Sequence, residues 1–289
     1  MRASRAPAPT TLLCGRHRLP LDRPRVMGIL NVTPDSFADG GSYANAGSAL
    51  AHARTLLADG ADILDVGGES TRPGAEPVSE QQELDRVLPL VEQLRVECDE
   101  RAVPISVDTC KAGVMLAAIA AGASMINDVA ALRSRGALQV VADSSTPVAV
   151  CLMHMRGEPA TMQHATNYDD VVTEVAQFLH ARVAACLAAG IDRERIVVDP
   201  GFGFGKTVEH NLALLRRLPE IVALGYPVLV GLSRKSTIGA LTGRDVGERM
   251  AGSIAAALAA VARGAAIVRV HDVRETVDAL KIWHAIQTK

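Results

Sequence analysis

The 289-residue chain predicts a single α/β domain closed as a TIM (β/α)8 barrel. Eight times an apolar run ends at a polar or glycine-rich segment and a helix-like stretch follows; the stops are Asn31, 67–72, Asp108, Asn127, His154, Asp199, 233–235 and 269–271. The runs are short, rich in Val, Ile and Leu, and do not alternate with polar residues, as expected of parallel strands covered on both faces. No linker-like stretch divides residues 25–286, and no visible switch point favours a doubly wound open sheet over closure.

Taken in order, residues 1–10 are expected to be a disordered tail and 11–289 the barrel domain. Residues 11–24 suit a short hairpin with Gly15 near its turn. The first barrel strand covers 25–30, followed by a Gly/Asp/Ser-rich loop and a helix near 48–59. The second strand is 62–66; after its loop, Ser79 with Gln82 three residues on forms a capping box that opens a helix reaching residue 100. Strand three is 104–107, helix three 112–121, strand four 124–126, helix four 136–143 and strand five 147–153. A polar loop with Gly157 and Pro159 leads to a helix over 168–189. Strand 195–198, helix 209–218, strand 227–232, helix 247–263, strand 266–270 and helix 274–286 complete the series.

The stretch 250–262, MAGSIAAALAAVA, carries no charge. An outer barrel helix should show water a polar face, so a second buried face is expected here, most simply the contact of a symmetric homodimer. The bland account is that alanine is the best helix former and tolerable on a surface.

The formal charge of −2 and the lack of a long Lys/Arg cluster give no electrostatic case for a nucleic-acid partner. Five cysteines, at 14, 98, 110, 151 and 186, are an odd number without a CxxC pair, which reads as free thiols in a reducing compartment. Residues 1–10 have no apolar core for a secretory signal, and no uncharged apolar segment reaches the ~20 residues a membrane helix needs. A cytoplasmic chain without a membrane partner is therefore expected.

Barrel enzymes work at the C-terminal ends of their strands, which is where the unusual polar residues fall. Asn31 can offer an amide oxygen to a hard cation, offer its NH2 to an anion, or close an Asx turn; alone it does not choose. The segment 67–74, GGESTRPG, suits anionic groups held by backbone and side-chain donors, or a capped surface turn. Asp108, Asn127 and Asp199 each end an apolar strand, so each lies at the pocket floor, where a buried carboxylate needs partners. Lys111 stands close enough in sequence to pair with Asp108. A ligand rich in N–H donors, such as the edge of a 2-amino-4-oxo pyrimidine, also satisfies such groups; helix capping is the alternative for any one of them.

The run 201–207, GFGFGKT, fails as a P-loop because Pro200 stands where the first glycine is required. Its glycines more plausibly let backbone approach a flat ligand, with Phe202 or Phe204 offering a ring. Lys235, beside Ser236, and Arg269 with His271, two residues apart on one strand face, bring cations to the ends of strands seven and eight, where many barrels bind phosphate. A surface salt bridge for Arg269 and a satisfied polar group for His271 are the bland readings. No HExxH and no Cys/His cluster points to a structural zinc.

Together and in order, GILNVTPDSF, DVGGESTRPGA, ISVDTCK, INDV, LMHMRGEPATMQ, VDPGFGFGKTVEHN, GLSRKS, RMAGS and RVHDV resemble the dihydropteroate synthase family, over residues 25–286. Small departures fall at Ala38, Cys110 and Ala130. The resemblance implies a transferase of folate biosynthesis that condenses 6-hydroxymethyl-7,8-dihydropterin pyrophosphate with p-aminobenzoate. It implies that Asp108, Asn127, Asp199 and Lys235 hold the pterin, and that Asn31, Arg269 and His271 hold the diphosphate, with Asn31 near Mg2+. It implies that Thr71, Arg72, Pro73, Phe204 and Ser236 line the aminobenzoate site, where sulfonamides bind. Asp108, Lys235, Arg269 and Asn31 are the expected catalytic group. A folate-dependent methyltransferase domain is the first alternative; it needs neither the cation set nor the Ser-Thr-Arg-Pro loop. A catalytically silent pterin-binding paralogue is the second.

Overall fold

A computed structural model describes residues 8–32, 42–70, 76–157 and 166–287 of the chain. The hairpin is present: β1 (Thr11–Cys14) pairs antiparallel with β2 (His17–Pro20), turning at Gly15 with φ +61°. Eight parallel strands follow: β3 (Arg25–Asn31), β4 (Ile63–Gly67), β5 (Ile105–Asp108), β6 (Met125–Asp128), β7 (Ala149–Met153), β8 (Ile196–Asp199), β9 (Leu229–Val230) and β10 (Ile267–Val270). They lie in the order β8-β7-β6-β5-β4-β3-β10-β9. A parallel bridge between Val198 and Val228 joins the two ends and closes the barrel.

Around the barrel run α1 (Ser42–Ala58), α2 (Glu80–Glu100), α3 (Ala112–Ala121), α4 (Ala137–Ala142), α5 (Val171–Ala188), α6 (Val208–Arg216), α7 (Leu218–Val222), α8 (Ser236–Thr242), α9 (Met250–Val261) and α10 (Val273–Gln287). The Ser79–Gln82 capping box opens α2 as its spacing predicts. The helix expected over 209–218 is α6, and a further short helix that the sequence reading does not contain, α7, follows it after Arg217, with Pro219 in its first turn, where a missing N–H costs nothing. The short α8 is not expected from the sequence; its STIGALT composition carries little helix signal. α5 is the one helix among the described residues long and apolar enough to cross a membrane. Its Val172, Val175, Leu179, Val183 and Cys186 face is buried, and it packs on β7 and β8.

Two apolar layers form the core. The larger lies between strands and helices. The smaller fills the barrel: Met27, Ile63, Met125, Ala149, Cys151, Val197, Leu229 and Ile267 meet Leu12, Cys14 and Leu19 of the hairpin. The hairpin therefore plugs the N-terminal mouth. Gly15 N–H donates to Pro147 O at 3.0 Å and fixes it there. The opposite mouth is left for polar side chains.

Candidate active site

Parity along each strand decides which side chains face the interior. Met27, Ile63, Met125, Val197 and Ile267 point inward. Their neighbours two and four residues on, Asn31, Asp65, Asn127, Asp199, Arg269 and His271, therefore do so as well. The registers align Asn31 with Gly67, Gly67 with Asp108 and Asp108 with Asn127, one row across four strands. Four strands, β3, β4, β5 and β8, run one residue further than the apolar pattern predicts, because their last residues remain in the ladder, whereas β9 stops two residues short.

Arg269 organises one half of the mouth. Its Nε donates to Asp65 Oδ2 at 2.6 Å and its Nη2 to Asp108 Oδ2 at 2.8 Å. Asn127 Nδ2 donates to the same Asp65 oxygen at 3.1 Å. Burial pushes the Asp108 carboxyl above the ordinary carboxylate range; Arg269 opposes the rise, and Asp65 adds to it. The expected pairing of Lys111 with Asp108 does not occur. Asp108 points into the barrel, whereas Lys111 begins α3 outside it, and its ammonium lies 2.6 Å from both Glu69 and buried Glu83.

The other half is built on the glycine run. Gly201 N–H donates to Asp199 Oδ1 at 2.7 Å. Lys235 Nζ donates to Phe202 O and lies 4.5 Å from the centre of the Phe204 ring. Phe202 itself is buried in the core, so of the two rings Phe204 is the one at the mouth. Burial raises the Asp199 carboxyl, against the pull of Lys235, and lowers Lys235 to about 8.

Two cross-links tie the end of β9 to the end of β10. Ser233 Oγ lies 2.9 Å from His271 Nδ1 and accepts from His271 N–H at 3.2 Å. Arg234 donates to both carboxylate oxygens of Asp272. Arg234 holds φ +58°, a left-handed backbone that is strained for a side chain of its size. It is held there by Ser253 Oγ on its N–H and by Arg249 on its carbonyl.

Asn31, Asp108, Asn127, Asp199, Phe204, Lys235, Arg269 and His271 thus gather at one mouth, with Ser236 exposed at the start of α8. Thr71, Arg72 and Pro73 lie outside the described residues. Asp65, Ser233, Asp272 and Lys206 lie within runs quoted in the sequence reading but are given no role there. The signal for Asp65 was present: an acid two residues after Ile63 in a buried strand has to face the interior.

The family described as pterin binding enzyme matches residues 27–271. A dihydropteroate synthase of Neisseria meningitidis serogroup B is 56% identical over 278 residues, covering 94% of this chain and 96% of that protein. The chain belongs to this family. Among solved structures, a Xanthomonas albilineans dihydropteroate synthase with 4-aminobenzoic acid matches at TM-score 0.90 and 55% identity, over 97% of this chain and 99% of that chain. A Yersinia pestis dihydropteroate synthase with a sulfonamide drug complex matches at TM-score 0.90 and 49% identity, over 96% of this chain and 100% of that chain. Relatives this similar over nearly the whole chain are dihydropteroate synthases, and the folate-dependent methyltransferase reading loses its footing.

Proposed function

We propose that the chain joins 6-hydroxymethyl-7,8-dihydropterin pyrophosphate to p-aminobenzoate, forming 7,8-dihydropteroate and pyrophosphate in folate biosynthesis. One observation carries the reading. A single barrel mouth holds acceptors for a donor-rich heterocycle (Asp108, Asn127, Asp199) beside cations for a departing anion (Lys235, Arg269).

The Asp199 carboxylate accepts the 2-amino and ring N–H groups of the pterin, and Lys235 donates to its carbonyl oxygen. Arg269 and His271 hold the diphosphate. As the C–O bond to the diphosphate breaks, negative charge gathers on the leaving oxygen, where Arg269 and His271 stabilise it. Positive charge grows on the exocyclic carbon and spreads into the pterin ring, and Asp108 favours it. The arylamine then attacks that carbon. Phe204 and Ser236, with Thr71, Arg72 and Pro73, would wall its site, and a sulfonamide would compete there.

The residues present suit Mg2+. A gap above Gly67, which a Cβ would fill, lies between Asn31 Oδ1 (3.5 Å from that position) and Asp108 Cβ (3.6 Å). One amide oxygen is enough for an ion bound mainly by phosphate oxygens and water. Held by Asn31 and the diphosphate, it would neutralise charge on the leaving group.

We assign the homodimer contact to α9. Ser253, Ala257 and Ala260 face the barrel, while Met250 is 42% exposed, beside Leu241 at 59% and Val246 at 53%. That apolar surface is what a two-fold contact would cover.

The deciding experiment supplies purified protein with both substrates and Mg2+ and follows pyrophosphate release. Release that depends on p-aminobenzoate supports the reading; tight pterin binding without turnover would instead mark a silent paralogue.

A further inference from the structure

The P-loop-like run has a purpose that no phosphate explains. Lys206 is 4% exposed, and its ammonium points back into its own loop rather than out to an anion. Nζ donates to Gly201 O and Phe204 O, each at 2.9 Å, and to His154 O at 3.4 Å, and lies 3.0 Å from His154 Nδ1. The ammonium is caged by one turn and by the end of β7.

The rest of the turn is braced as fully. Gly201, Gly203 and Gly205 hold φ of +69°, +82° and +62°. A Cβ on Gly201 would come within 1.9 Å of His154 O, so the β7 end and the turn are in backbone contact. Asn211 Oδ1 accepts from Gly203 N–H at 2.7 Å, and Tyr168 OH donates to Gly205 O at 3.0 Å. What this turn offers the mouth is specific: Gly201 N–H on Asp199, Phe202 O on Lys235, and the Phe204 ring beside Lys235. The carbonyls gripped by Lys206, at 201 and 204, flank the one that holds Lys235.

We propose that Lys206 is a positioning residue for pterin recognition: its caged ammonium folds the 201–205 turn into the shape that presents Asp199 and Lys235 to the heterocycle. Burial lowers the ammonium to about 7, Asp199 opposes that fall, and Lys235 and Arg156 add to it. The charge is thus held at a cost in solvation, as expected of a group retained for geometry. His154, lowered by burial and by Lys206 to about 3, stays neutral and acts as an acceptor. The inference rests on the pterin-binding reading above.

The test compares wild type with Lys206→Met, using two probes by calorimetry: 6-hydroxymethylpterin and inorganic pyrophosphate. Affinity for the pterin should fall roughly tenfold while pyrophosphate, held from β10, changes by less than about twofold. Unchanged pterin affinity in a folded variant overturns the proposal, and so does equal weakening of both probes, which a merely structural lysine produces. Should the variant not fold, the wild type decides through its five lysines, labelled with nitrogen-15 at Nζ. An exchange-protected Lys206 signal should move on adding the pterin and not on adding pyrophosphate; a signal indifferent to the pterin overturns the proposal. A wild type that does not bind the pterin at all instead sinks the functional reading.

Discussion

Asp65 and Arg269 are 204 residues apart in the chain and 2.6 Å apart across the barrel, carboxylate to guanidinium. Asp65 has no exposed surface, and Arg269 bridges it to Asp108, so the pair fixes the angle at which the guanidinium meets the mouth. Removing one partner of a buried pair leaves the other uncompensated. Asp65→Ala should cost about 3–5 kcal/mol of stability, read by denaturant unfolding; a loss below about 1 kcal/mol would mean the pair is solvated like a surface one.

Arg269→Ala should separate the two halves of the site. Binding of pyrophosphate should weaken far more than binding of a pterin lacking the diphosphate, by about 2–5 kcal/mol as for other truncated buried charges. Calorimetry with each ligand alone checks this, and equal losses refute the role given to Arg269.

Lys235 gives the pH dependence. Burial lowers its ammonium to about 8, although Asp199 resists. In the proposed site the protonated form donates to the pterin carbonyl, so affinity should hold below pH 8 and fall as pH rises through it. Comparing wild type with Lys235→Met cancels the ionisation of the ligand itself. A difference between the two that does not change from pH 6 to pH 9.5 would remove Lys235 from pterin binding.

The hairpin plug should contribute to stability and not to chemistry. Leu12 is fully buried in the inner apolar layer, so Leu12→Ala should cost about 2–5 kcal/mol. Turnover per folded molecule should stay near that of wild type, measured at a temperature where the variant is folded.

Much of this site is legible in the sequence because an apolar run that ends in a polar residue marks a strand reaching the mouth. Asn31, Asp108, Asn127, Asp199 and Arg269 follow that rule. Asp65 does not, because it lies inside its strand and only the two-residue period from Ile63 reveals it. Lys111 shows the opposite failure. Closeness in sequence points to Asp108, whereas the turn out of β5 sends the lysine to Glu69 and Glu83 on the outer side. Lys206 is illegible for a further reason: apart from the His154 ring its partners are carbonyl groups, which every residue carries and no sequence displays. The end of α6 before Pro219 is readable from the proline, while α8 has no propensity or periodicity to announce it.

Asp65, Asp108 and Asp199 set three carboxyl groups among the basic groups Lys206, Lys235 and Arg269. Such an opening should bind a free polyanion more weakly than one tethered to the heterocycle. On the proposed reaction it would grip the diphosphate while the attached ring anchors it, and let go once the ester link is severed. The side chains proposed to promote cleavage would then also favour product discharge, and residence of pyrophosphate on the protein should lengthen with divalent cation concentration.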